Sequence, residues 1–274
     1  MDSQFSAAGG EYRRIVLCAD DFGMNAAVDA GILALADRGR LSGASCLVDG
    51  PTFAAGAARL AASGLQLGLH LNFTELLGQP GLCLPLRALI VSAYLRRLPA
   101  PALRASIERQ LRRFEDLAGR VPDYVDGHQH VHQLPGVREA LVEAVGRYPE
   151  PRPWLRDTSR PRLAGLPLRL RIKAGVIAAL GASALRRQAC ARGLRMNDGF
   201  LGVYDFQGGA PAYLAWMRRW LAACRDGDVL MCHPALGAGP RDALSAQRQA
   251  EFEVLGGDAM ADLLAHHHVA IMGA

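Results

Sequence analysis

Residues 14–23 read Arg14-Ile15-Val16-Leu17-Cys18-Ala19-Asp20-Asp21-Phe22-Gly23. The run through Ala19 has no polar face, which is how a strand covered on both sides in a parallel sheet reads. It stops abruptly in two adjacent carboxylates. Open and closed α/β folds place their chemistry at the carboxyl ends of such strands. The plainer reading is that Asp20 and Asp21 cap the helix expected over 25–38, which Gly39 then closes.

The same alternation continues outward. A strand over 45–48 precedes a small-residue helix over 53–63. The strand over 66–73 puts Gly68, His70 and Asn72 on one face and Leu69, Leu71 and Phe73 on the other. Residues 76–101, rich in Leu, Pro and Gly, read as an insertion or lid. Ile107, Leu111, Phe114 and Leu117 recur at helical spacing over 103–118. Val121-Pro122-Asp123-Tyr124-Val125 leads into a cluster of histidines, followed by a helix over 137–148. Further on come a helix over 211–224, a buried-type strand over 228–232 that delivers His233-Pro234, a helix over 247–264 and a closing strand over 269–272. Alternating strands and helices with polar strand ends predict a single-domain α/β fold over 12–274, an irregular (β/α) barrel of about seven strands. Residues 1–11 read as a flexible N-terminus, and 156–195 as an inserted helical segment.

The cluster is Asp126-Gly127-His128-Gln129-His130-Val131-His132. In an extended segment residues two apart share a face, so Asp126, His128, His130 and His132 would point the same way. Neutral imidazole is the commonest protein metal ligand. A polar strand end whose histidines only bond to backbone is the alternative. His266 to His268 fall in a helix-to-strand connection and read as solvent-exposed.

Composition narrows the function classes. The chain has 274 residues, half of them hydrophobic, and 31 basic against 26 acidic residues, or +5. Mild basicity with few aromatics gives no support for a nucleic-acid partner. Six cysteines without a CxxC pair read as free thiols of a reducing compartment, here the cytoplasm. No apolar run reaches the ~18–20 residues of a membrane span, and residues 1–11 hold no apolar signal core. Arg156 to Arg195 carries ten basic residues and one acid, Asp157, around the apolar stretch from Ala174 to Leu185. That segment reads either as a solvated outer hairpin, with homodimer formation one use for it, or as a peripheral surface for a phosphate- or lipid-bearing partner.

Taken together, Ala19-Asp20-Asp21-Phe22-Gly23, Gly68-Leu69-His70-Leu71-Asn72, the Asp126–His132 cluster and Cys232-His233-Pro234 resemble the YdjC-like carbohydrate deacetylases, a family that includes the chitooligosaccharide deacetylases. The resemblance implies a divalent metal held by Asp21, His70 and His128, with Asp20 as general base and His233 as acid. It places Asn72, His130 and His132 at the sugar. The implied metal is Mg²⁺, whereas two imidazoles and a carboxylate also suit Zn²⁺. The implied reaction removes the acetyl group from an N-acetylated amino sugar, as an oligosaccharide or linked to a lipid or phosphate carrier. Another metallohydrolase activity, such as a phosphoesterase, and a non-catalytic sugar-binding protein are the competing readings.

Overall fold

The computed structural model describes residues 12–78, 81–239 and 242–272; the expected flexible N-terminus lies outside them. In chain order the elements are β1 (Arg13–Phe22), α1 (Ala26–Asp37), β2 (Gly43–Cys46), α2 (Phe53–Ala61), β3 (Gln66–Leu71), α3 (Leu86–Tyr94), α4 (Ala100–Ala118), β4 (Tyr124–Gly127), a 3₁₀ turn (His128–Gln133) and α5 (Val137–Val145). There follow β5 (Trp154–Leu155), α6 (Leu168–Ala179), α7 (Ala182–Ala191), β6 (Phe200–Leu201), α8 (Gly209–Ala223), β7 (Val229–Cys232), α9 (Ser245–Gly256), α10 (Asp258–His266) and β8 (Val269–Ile271).

Every strand pairing is parallel, in the order β5-β4-β3-β2-β1-β7-β6, with β8 on the amino-terminal part of β1. The sheet curls into a barrel. Its seam, between β5 and β6, is held by two isolated parallel bridges, Leu155 to Met196 and Pro161 to Phe200. The barrel is therefore irregular, as expected. The expected insertion over 156–195 is the β5-to-β6 crossover, and it does contain a helical hairpin, α6 and α7.

β1 shows why its sequence has no polar face. Ile15, Leu17 and Ala19 pack into the large core beneath the helices. Val16 and Cys18 alternate with them and join Tyr124, Phe200, Val229 and Met231 in a second apolar cluster. Both faces leave water, and period-2 alternation disappears from the residue types. Asn25, not the aspartate pair, caps α1, accepting from Ala27 N–H and Val28 N–H at 3.0 Å each. Asp20 and Asp21 are thus free for other work.

Candidate active site

The expected site residues come to the carboxyl ends of β1, β3, β4 and β7, on one end of the barrel. Two neighbours on a strand normally face opposite ways, so Asp20 and Asp21 need a local device to converge. The β1–β2 register supplies it. Ala19 pairs with Ala44 and Phe22 with Cys46, leaving one extra residue on β1. This bulge forms with Asp21 in the left-handed region at φ 76°.

Asp21 Oδ1 lies 3.4 Å from His70 Nε2 and 2.9 Å from His128 Nδ1. One ligand atom from each of Asp21, His70 and His128 falls within 4.8 Å of the others, and all three residues are buried or nearly so. The expected trio therefore meets. His70 is oriented from behind by Asp126, its register partner on β4, which accepts from Nδ1–H at 2.6 Å. That bond fixes the tautomer and leaves the Nε2 lone pair toward Asp21, a pattern typical of metal-bound imidazoles. Burial favours a neutral His70 ring, but Asp126, Asp21 and Asp20 outweigh it and push the imidazole up to about 10. Burial likewise disfavours charge on Asp21, yet Arg248 and His128 hold its carboxyl well below the usual range. A pocket this negative is one a divalent cation neutralises, displacing the proton from His70. The donor set fits such an ion.

Asp20 points elsewhere, into a buried ion cluster. Arg156, fully buried just beyond β5, donates to both its oxygens at 2.7 Å and approaches Asp126 Oδ2 at 2.6 Å. Ser45 Oγ completes the cluster, donating to Asp126 at 2.7 Å. Burial opposes ionisation of Asp20, but the Arg156 guanidinium holds the carboxyl well below its ordinary value. Cys18, Asp20 and Asp126 also come close enough to hold an ion. Arg156 already fills the space between them, with Nη2 3.0 Å from Cys18 Sγ. Burial pushes that thiol up to about 12, so it is no nucleophile.

His233, carried beyond β7, sets Nε2 3.9 Å from Asp20 Oδ2, and its ring meets Phe206 edge-on at 5.0 Å. Burial pushes the imidazole down to about 4. Asp20, Asp21, His70, His128, His130 and His233 all line one cavity of about 1300 Å³, with Glu75, Lys173 and Arg248. Apolar walls come from Ile177, Val203, Phe206 and Met231.

Three expectations need correction. Residues 128–133 are not a strand. β4 ends at Gly127, where a Cβ would sit 2.9 Å from His132 N, and the chain turns with Gln129 and His130 left-handed at φ 53° and 60°. The turn splits the histidines: His128 and His130 face the cavity, whereas His132 is fully buried and donates from Nε2 to the Arg156 carbonyl at 3.0 Å. His132 braces the segment that carries Arg156 and does not line the sugar-sized space. Asn72 also turns inward. Its Oδ1 accepts from Thr74 N and Glu75 N, shaping the loop that brings Glu75 to within 3.6 Å of His128 Nε2.

Two residues on α9 were not singled out in the sequence. Arg248 Nη2 donates to the second oxygen of Asp21 at 2.6 Å. Glu251, three residues on, accepts from the His233 backbone N–H and from the Tyr204 hydroxyl. One helix thus steadies both Asp21 and the His233 loop. A polar triplet, Gln247, Arg248 and Glu251, among the apolar positions Ala250, Val254 and Leu255 was the signal.

A parallel barrel with carboxylates and imidazoles converging at the carboxyl ends of its strands belongs to the class of barrel proteins whose site is built from strand ends. A family-level sequence profile described as YdjC-like protein matches residues 14–266, and the chain belongs to that family. A carbohydrate deacetylase from Mus musculus is 38% identical over 49% of this chain and 48% of its own. A chitooligosaccharide deacetylase from Serratia marcescens is 27% identical over 81% of both chains. The chain spans about half the length of several of the curated relatives it matches. A solved structure from Enterococcus faecalis V583, whose description proposes cellobiose-phosphate cleavage, shares the fold with a TM-score of 0.68 at 20% identity, over 96% of this chain and 98% of that one.

Proposed function

We propose that this protein is a metal-dependent carbohydrate N-deacetylase that hydrolyses the acetamide of an N-acetylated amino sugar. The observation that carries the reading is the meeting of Asp21, His70 and His128 beside an Asp20 kept ionised by Arg156. The names of the curated relatives support it. Asp21, His70 and His128 would hold one divalent ion, which would polarise the acetyl carbonyl and the attacking water. Family resemblance favours Mg²⁺, and the two imidazoles would equally accept Zn²⁺.

The chain's own residues would handle the proton. Asp20, ionised and within the cavity, takes it from water. His233 Nε2 stands 3.9 Å away and is neutral, so it can receive that proton and deliver it to the departing nitrogen. Pairing with Arg156 makes Asp20 a weak base, which suits transient custody of a proton that must move on. His130, whose buried Nδ1 has no protein partner among the described residues, would face a sugar hydroxyl.

A two-metal phosphoesterase is less well supported, because Arg156 occupies the only other group of candidate ligands among the described residues. Free thiols at Cys18, Cys46, Cys224 and Cys232 fit a reducing, cytoplasmic compartment. The test is a panel of N-acetylated sugars, free, nucleotide-linked and lipid-linked, with acetate and free amine as readouts, using metal-stripped and reloaded protein. Metal-dependent amine release supports the reading. Release from no member of the panel, or release of phosphate alone, would overturn it.

A further inference from the structure

Ten large hydrophobic side chains are exposed among the described residues, and six of them cluster in two segments beside the cavity. On α6, Leu168, Ile172 and Val176 recur every four residues and are 70%, 58% and 56% exposed, so they form one outward stripe. The adjacent side of the same helix lines the cavity through Lys173 and Ile177. On α3 and its cap, Val91, Tyr94 and Leu95 are about half exposed, and Tyr94 O–H donates to the Ala179 carbonyl at the end of α6, joining the two patches. Leu76, 89% exposed, lines the cavity itself. Clusters of this kind on a soluble surface mark a site of contact, whereas scattered single residues do not.

Charge identifies the partner. Residues 86–107 and 158–197 contain no acidic residue. Arg87, Arg96, Arg97 and Arg171, on or beside the two apolar elements, are exposed and have no carboxylate partner among the described residues. A two-fold contact with a second copy would set this acid-free face against itself, cation on cation. An anionic lipid surface satisfies both features, since apolar side chains enter the acyl boundary while arginines meet headgroup phosphates. No helix among the described residues is long and apolar enough to cross a membrane, so contact is peripheral.

We infer that the face formed by α3 and α6 docks on anionic bilayers, turning the cavity mouth toward the lipid surface. This stands apart from the proposed reaction, because its readout is binding.

The test is co-sedimentation of the full chain with vesicles of phosphatidylcholine alone and of an equal mixture with phosphatidylglycerol, across a salt series. Wild type binds the mixed vesicles, and binding falls as salt rises. Arg96→Gln, Arg97→Gln and Arg171→Gln together lower it roughly a hundredfold, at about fivefold per arginine. Ile172→Ser with Val176→Ser lowers it at every salt concentration. Circular dichroism of both variants verifies that they fold, and the wild-type salt series stands even if one does not. Three results would overturn the proposal: no wild-type binding to the mixed vesicles, undiminished binding by the folded arginine variant, or a solution dimer that the apolar variant converts to monomer.

Discussion

Arg156 grips Asp20 through both terminal guanidinium nitrogens at 2.7 Å, and the arginine has no exposure to solvent. The pair joins the carboxyl end of β1 to the residue just beyond β5, across half the barrel. A carboxylate whose charge is neutralised from behind keeps one rotamer and stays ionised in the presence of substrate. The same Arg156 bonds Asp126, which in turn orients His70. The proposed base and the candidate metal ligand therefore share one support.

Asp20→Asn should retain the metal and lose about 10²–10⁴-fold in kcat, the usual worth of a general base. Stability should fall too, because a buried guanidinium loses a charged partner, a change that costs about 3–5 kcal/mol when a pair is broken. Turnover on the best substrate of the panel, with metal content measured on the same sample, checks this. Unchanged turnover would remove Asp20 from the chemistry and leave it a partner for Arg156.

Asp126→Asn tests the support behind His70. Loss of such an outer partner typically costs about 10–100-fold in metal affinity. Equilibrium dialysis against Zn²⁺ or Mn²⁺ reads it directly and needs no substrate. If affinity is unchanged, Asp126 serves Arg156 alone.

His233→Ala should lower kcat about 10²–10³-fold at constant metal content. Burial pushes the wild-type ring down to about 4, so it stays neutral through the neutral range. The kcat/KM profile should then show no limb from this ring between about pH 5 and 8. A limb in that range that disappears in His233→Ala would mean the ring must enter already protonated, and the relay from Asp20 would be wrong.

Much of this could be read from residue types. The strand ends at Asp20, Asp21, His70 and His233 were legible because each follows a run of buried-type residues that stops at a polar one. β5 and β6 were not, since two residues carry no periodicity. Arg156 was obscured for the same reason. Without β5 it reads as the first charge of a basic stretch, although Trp154-Leu155-Arg156-Asp157 repeats the apolar-then-polar ending of β1. The histidine cluster misled because alternation favours a strand, whereas the close approach of His132 to Gly127 forces a turn. Arg248 and Glu251 lay inside an ordinary amphipathic helix, and only the fold shows that its polar face points at the site.

Glu251 provides a test in stability. Burial pushes its carboxyl from the usual 4.5 up to about 7, despite bonds from His233 N–H and Tyr204 O–H. The folded state therefore holds a proton that the unfolded chain releases near 4.5. Below that value the two states are alike. As pH rises from about 4.5 to 7 stability falls, and above 7 the whole penalty, on the order of 3 kcal/mol, is present. Glu251→Gln keeps its one carbonyl oxygen for the His233 N–H, can donate from its NH2 to the Tyr204 hydroxyl oxygen, and cannot ionise. Urea unfolding at pH 5 and pH 8 should show wild type losing stability relative to Glu251→Gln as pH rises. If the two proteins keep the same difference at both values, Glu251 is ionised throughout and the Tyr204 and His233 contacts carry a fixed charge.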